Sequence, residues 1–274
     1  MPAVSTNVAA NAAVRYLNIN SAQESSSLSK LSSGSRITSA SDDAAGLAIS
    51  TRISSDITTL QQAATNAAQA SAILQTADGG ASNISDILAR MKSLASQSAS
   101  GTTTDSSRAY INSEFSELTS EIDSIATGTR YSGQSLLDGS SVFASGVSVL
   151  VGSSGSDTIA ITLSSLTASS LGVSSLDVST LSDATSALTA LDAAIDSVSA
   201  ARASIGAQES RFNFSSDSIS TQVQNLQAAN SAIKDVDIAA EQARLSSAEV
   251  KTQAAVSAES AANQMPQYLL KLLG

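Results

Sequence analysis

The chain has 274 residues and a formal net charge of −10, from 24 acidic and 14 basic side chains. Cys and His are both absent, which excludes disulfides, zinc–thiolate sites, Cys nucleophiles and every Ser–His–Asp triad. The acidic balance argues against a surface that tracks nucleic-acid phosphates, and no run of about 20 apolar residues is present to cross a bilayer as a helix.

Hydrophobic residues make up 42% of the chain but aromatics only 3%, with no Trp, so Ala, Leu, Ile and Val must do the packing. That suits closely spaced helices. Charged residues are sparse at 14%, and Ser, Ala and Gln in their place suggest surfaces that touch copies of the same chain. The N-terminus lacks the basic region, apolar run and cleavage site of a secretory signal, so export would use another route.

In chain order, Val4, Val8, Val14, Leu17, Leu28 and Leu31 recur at spacings that predict an amphipathic helix closed by Gly34. Its Ser- and Asn-rich filling makes it marginal without a partner. Ser41 or Asp42 then caps a second helix at Ala44, with a register in sevens: Ile53, Leu60, Ala67, Leu74, Ala81, Leu88 and Ala95. Gly79 and Gly80 cost about 1–2 kcal/mol of helix propensity and predict a kink or brief break. A third helix carries Tyr110, Ile111, Phe115, Leu118, Ile122 and Ile125 and closes at Gly128. From Tyr131 to Ala201 there is no Lys or Arg; Val147, Val149 and Val151 alternate, as do Ile159, Ile161 and Leu163, around the turn Gly152–Asp157. This is a hairpin signature.

Ser182 and Asp183 are read as caps of a long helix whose row in sevens never misses: Leu191, Val198, Ile205, Phe212, Ile219, Leu226 and Ile233. Such a row spans about 60 Å of helix. Its companion row is mixed, with Leu188, Ile195 and Val223 apolar but Arg202, Glu209 and Ser216 polar. Those polar places are candidates for contact with neighbouring molecules. Beyond Ile233 the tail is again weakly amphipathic and ends in Leu269, Leu270, Leu272 and Leu273.

No catalytic, cofactor or metal site emerges. Asp42 and Asp43 suit caps of a helix start, and Asp235 and Asp237, two apart, share no helix face and suit solvated or subunit-contacting carboxylates. Gly152–Gly155 lacks the Gly-Lys-Ser ending of a phosphate loop, and Arg90 with Lys92 is too small a patch for nucleic acid. The fold class expected is mainly α: long antiparallel helices forming a coiled-coil-like rod from both halves of the chain, with a small β-hairpin insert.

Three stretches resemble bacterial flagellins: LSSGSRITSASDDAAGLAIS at 31–50, GTRYSGQSLLDG at 128–139 and IKDVDIAAE at 233–241. The short middle and the Ser/Thr-rich text resemble the compact flagellins of alphaproteobacteria. The resemblance implies a structural subunit, not an enzyme, that polymerises into the extracellular flagellar filament. It implies a terminal helical pair (1–42 with 234–274) in the inner filament core, a rod (43–140 with 182–233) and a short β-rich insert (141–181). Export is implied through the flagellar type III apparatus without a cleaved signal. Implied partners are further copies, hook-associated junction proteins, a filament cap protein and an export chaperone.

Residues carried over from the family include Arg90, Leu94 and Glu114, which match a surface read by an animal innate receptor. The surrounding Ala89, Met91, Lys92, Ser93 and Ser96 depart from the strongly agonistic pattern. A signature sensed by plants is matched at Gly34, Arg36, Ile37, Asp42, Asp43 and Gly46, with Ser41 where a Lys is common. Polymer contacts are expected from Val4, Val8, Leu17, Leu269, Leu270, Leu272 and Leu273, and the rod core from the two rows in sevens, notably Ile53, Leu60, Leu74 and Leu88 with Leu191 to Ile233. No cofactor is implied; the Ser/Thr-rich rod and insert suit O-glycosylation. Alternatives are a hook–filament junction protein, which shares the terminal pattern, or a secreted coiled-coil translocator or effector, which would need an apolar membrane-inserting segment.

Overall fold

The computed structural model describes residues 7–273, without the side chains of 266 and 269–273. Six helices dominate: α1 (Val8–Ser33), α2 (Ala44–Ser98), α3 (Asp105–Gly128), the single turn α4 (Val142–Ser145), α5 (Leu181–Lys234) and α6 (Ile238–Leu273). Four short strands form two antiparallel pairs, β1 (Arg130–Tyr131) with β2 (Gln134–Ser135) and β3 (Val147–Leu150) with β4 (Thr158–Ile161). The chain divides into two compact units, residues 1–55 with 225–274 and residues 56–224, and both α2 and α5 contribute to each.

In the unit of residues 56–224 the seam of α2 has two buried rows. The large one is Leu60, Ala67, Leu74, Ala81, Leu88 and Ala95; the other is Ala63, Ala70, Ala77, Ile84, Met91 and Ser98. On α5, Leu191, Val198, Ile205, Phe212 and Ile219 are buried as the sevens predict. The second row differs from the predicted one. It is Ala187, Ala194, Ala201 and Gln208, one position earlier, while Leu188, Ile195, Arg202 and Glu209 flank the seam half-buried. Alanine carries no bulk, so it fills a row only where helices come close, toward the short end of the usual 8–10 Å between axes.

Helices α2 and α5 run antiparallel, as three cross-pairs show. Lys92 pairs with Asp192, Arg202 Nε donates to Asp78 at 2.8 Å, and Gln75 Nε2 donates to Glu209 at 2.8 Å. Arg202 and Glu209, expected to be left for neighbouring molecules, are therefore engaged within the chain. Helix α3 packs Ile111, Phe115, Ile122 and Ala126 into the same core.

The expected break at Gly79–Gly80 does not occur; α2 is unbroken from Ala44 to Ser98. Gly79 is exposed with nothing near it, whereas Gly80 is buried and a Cβ there would press on Thr129 and on Leu137 Cδ1. Close approach of the 129–137 segment explains the second glycine, and the helix tolerates the propensity cost because its neighbours hold it.

The predicted hairpin forms, and its register sets Val147 opposite Ile161 and Val149 opposite Ile159. Its far end is tied to α5 by Gln208, whose side-chain amide accepts from Thr162 N and donates to Thr162 O, both at 2.9 Å. The chain from 163 to 180 has no regular structure but lays Leu163, Leu166, Ala168, Leu171, Val173 and Val178 onto the core. Side chains of α3 hold it: Asp123 Oδ1 accepts from Ala168 N at 2.8 Å and Asn112 Oδ1 from Val178 N at 3.0 Å.

The smaller hairpin, β1–β2, was not anticipated. Its turn is Ser132–Gly133, both at positive φ (50° and 84°), the backbone a two-residue hairpin demands. Buried Arg108 joins α2 to α3, its guanidinium donating to Ser98 O and Ser100 O at 2.9 Å each and to Asp105 at 3.0 Å. It thus satisfies carbonyls left open where α2 ends.

Candidate assembly surfaces

In the unit of residues 1–55 and 225–274, α1 and α6 pair antiparallel. Asn7 Nδ2 donates to Ala262 O at 2.8 Å, Thr252 Oγ1 to Glu24 at 3.3 Å and Ser27 Oγ to Glu241 Oε1 at 2.6 Å. Most of the buried positions described on the pair are small: Ala10 and Ser27 on one side, Ala248, Ala255 and Ala262 on the other, with Leu245 and Glu241 the large residues. The larger apolar side chains point outward instead. Val8 is 74% exposed, and Tyr16, Ile19, Leu28, Val250, Val256, Met265 and Tyr268 are exposed as well. Two helices that bury their alanines and expose their bulky residues have their main apolar faces turned to something else.

Of the residues expected to make polymer contacts, Val8 lies on this exposed surface and Leu17 is half-buried. Val4 lies outside the described residues, as do the side chains of Leu269, Leu270, Leu272 and Leu273.

Glu241 is 4% exposed. The Ser27 hydroxyl holds its carboxyl below the ordinary range against the opposing effect of burial, with a smaller contribution from Arg244 at 3.1 Å. Asp42, though solvent-exposed, is likewise lowered, by backbone N–H donors of Thr38 and Ser39 and by the Thr38 hydroxyl.

Six residues of the 31–50 stretch meet in one clasp. Gly34 caps α1 in the left-handed region (φ 67°), its carbonyl accepting from Val236 N at 3.1 Å. Arg36 N donates to Lys234 O at 2.6 Å and its guanidinium to Ile233 O at 2.7 Å, closing α5. Ile37 is buried. Asp42 ties the loop at Thr38 and Ser39, and Asp43 is the helix cap, with its Oδ1 accepting from Gly46 N at 2.8 Å and its carbonyl from Leu47 N. Gly46 sits so close to Asp43 and Ile37 that a Cβ would collide with both. The cap is thus Asp43, not Ser41 or Asp42, because the Asp42 carboxylate is turned into the preceding loop.

Across from this loop, Ser35 bridges to Asp235, and Asp237 caps α6 through Ala240 N at 3.0 Å. Asp237 is thus solvent-exposed, as expected of a solvated carboxylate, and serves the chain as a helix cap as well. At the start of α5 the cap is Thr180, with its Oγ1 accepting from Asp183 N at 3.1 Å, and Ser182 lies inside the helix.

Arg90 and Glu114 are both exposed and form a two-donor pair at 2.6 and 2.9 Å between α2 and α3. Leu94, expected on the surface beside them, is 2% exposed in the core, because its place on α2 faces inward. Ile53, Leu226 and Ile233 are half-buried, unlike the rest of the two rows. Among the described residues no group of acidic side chains could hold a metal ion, and no helix is long and apolar enough to cross a membrane.

Charge divides sharply. Residues 1–55 and 225–274 carry eight basic and eight acidic side chains, so residues 56–224 hold six basic, sixteen acidic and the whole net charge of −10.

Comparison with known proteins gives one family. Residues 4–142 match the family described as "Bacterial flagellin N-terminal helical region" and residues 188–273 match "Bacterial flagellin C-terminal helical region". The chain is 35% identical to a flagellin of Halalkalibacterium halodurans over 98% of its own length and 99% of the relative's. It is 33% identical to the flagellar filament 30.7 kDa core protein of Treponema maltophilum, with the same coverage. The crystal structure of Bacillus cereus flagellin superposes with a TM-score of 0.52 at 29% identity, covering 61% of this chain and 94% of that one. A putative flagellar hook-associated protein from Vibrio parahaemolyticus superposes with a TM-score of 0.59 at 15% identity, covering 71% of this chain and all of the other, which is a likeness of fold.

Proposed function

The chain belongs to the bacterial flagellin family, and from that premise we propose how its parts divide the work of a filament subunit. It is a structural subunit of the flagellar filament, not an enzyme, and it self-polymerises. In our reading, residues 1–42 with 234–274 form the inner filament core, 43–140 with 182–233 the rod, and 141–181 a short β-rich insert. The observation that carries this reading is the inside-out character of the α1–α6 pair, with alanines within and Val8, Tyr16, Ile19, Val250 and Val256 exposed. Covering each such side chain is worth about 1.5–3 kcal/mol, which repeated contacts between copies would supply.

Export through the flagellar type III apparatus, capture by an export chaperone, and contact with a filament cap protein and hook-associated junction proteins belong to the same proposal. So does O-glycosylation of exposed Ser and Thr in the rod or insert. Intact-mass measurement on native filaments would count against the last by giving only the bare 27.5 kDa chain. Contact of host receptors with the rod would rest on Arg90 and Glu114, already paired with each other, and not on Leu94. The likeness to compact alphaproteobacterial flagellins rests on the short middle and the Ser/Thr-rich text; the relatives matched by sequence come from Firmicutes and spirochaetes and do not support it.

Nucleated assembly of the purified chain tests the reading. Long filaments in the electron microscope are expected, and soluble oligomers would refute it. A junction-protein reading is favoured only by the fold likeness to the hook-associated protein and predicts short, capped assemblies.

A further inference from the structure

We propose that the groove where Lys30 of α1 faces Arg244 and Lys251 of α6 is a carboxylate site, filled by an acidic side chain from residues 56–224 of a second copy. The hollow has a volume of about 460 Å³, large enough for side chains and too small for a helix. Arg244 and Lys251 lie seven residues apart on one face of α6, and Lys30 stands in the last turn of α1. The one carboxylate lining the groove, Glu241, is buried and already served by Ser27 and by one nitrogen of Arg244. The rest of the 73%-exposed Arg244 side chain faces solvent, and among the described residues neither lysine has a carboxylate within salt-bridge distance. Positive charge gathered in a concave site, without an acceptor left to meet it, is matched by an anionic acceptor from outside.

Charge balance names the source. The unit that holds the groove is neutral, with eight groups of each sign, while residues 56–224 carry ten carboxylates in excess of their cations. In a chain that polymerises with itself, those carboxylates are the anions that arrive with every added subunit. The proposal rests on that polymerisation. A free phosphate offers similar chemistry and is the competing source.

Seeded elongation of the full chain, followed by light scattering across a salt series, tests it. Lys251→Glu breaks no ion pair within the chain, so its monomer should keep wild-type helix content by circular dichroism. It should elongate about tenfold more slowly at low salt. Lys251→Gln should weaken the salt dependence, and Lys251→Arg should behave as wild type. The proposal is overturned if Lys251→Glu elongates like wild type at every salt concentration. It is also overturned if inorganic phosphate, at matched ionic strength, accelerates wild-type elongation, which would make a free anion the occupant. Wild-type seeds that fail to elongate at all would instead refute the filament reading.

Discussion

Adjacent glycines in α2 should respond in opposite directions to the same substitution. Gly79→Ala adds a methyl group at an exposed position with nothing within 4 Å, so only the backbone gain remains. Replacing a helical glycine by alanine is worth about 0.8–1 kcal/mol, so this variant should be more stable by about that amount. Gly80→Ala receives the same gain but sets its Cβ against Thr129 and Leu137. Neither neighbour gives way readily. Thr129 is β-branched and its hydroxyl donates to Ile125 O at 2.8 Å, while Leu137 is 1% exposed in the core. Overpacking of this kind costs about 1–3 kcal/mol, so the net effect should run from nearly neutral to about 2 kcal/mol destabilising. Urea unfolding of depolymerised protein would measure both, and the two midpoints should separate with unchanged slopes. If Gly80→Ala stabilises as much as Gly79→Ala, the close approach of the 129–137 segment is wrong.

Three further outcomes are expected. Arg108→Met should destabilise by about 1–3 kcal/mol by leaving Ser98 O without its donor and Ser100 O with Thr103 N alone, and Arg108→Lys should restore only part of this, since a point charge cannot serve the fork; urea titration reads both. Glu241 has its carboxyl pKa lowered by folding, so its stabilising contribution is fully present above the unpaired value of 4.5 and is lost as pH falls through the folded one. Acidification should therefore loosen the α1–α6 pair by circular dichroism, and Ser27→Ala should shrink the dependence; an unchanged acid profile would remove Ser27 as its cause. Amides of α1 and α6 should exchange quickly with solvent in free subunits and slowly in filaments, because an alanine seam buries little apolar surface; slow exchange in free subunits would contradict this.

Much of the fold was legible in the sequence where large apolar residues repeat. The row from Leu191 to Ile219 and the alternation around Gly152–Asp157 both report burial directly, since Leu, Ile, Val and Phe have few other roles. The alanine row at 187, 194 and 201 was misplaced because alanine is equally at home on a surface, so its burial depends on how near the next helix lies. Caps shifted by one to three residues for a related reason. Ser41, Asp42 and Asp43 can each accept a helix N–H, and the choice is decided only by the conformation of the loop just before them, which turns Asp42 back onto Thr38 and Ser39. Leu94 was set on the surface by likeness to a family motif, whereas the register of α2 turns it inward. The clasp linking Gly34–Ile37 to Ile233–Val236 was illegible for another reason: its partners are about two hundred residues apart and bond mostly through backbone, which side-chain pattern does not encode.

The larger hairpin also says where this chain can grow. Its turn is closed at the base by Val151 N donating to Asp157 O at 2.8 Å, and Ser153 to Ser156 stand in solvent. The two chain ends at that base are already held together by the β3–β4 ladder and by Gln208 below it. Lengthening a loop whose ends are pre-joined costs little, about 0.6 kcal/mol per doubling. A foreign peptide spliced in between Ser154 and Gly155 would thus leave the helices beneath undisturbed. Carried on every subunit, it would be displayed as a repeating array, with the filament as its scaffold.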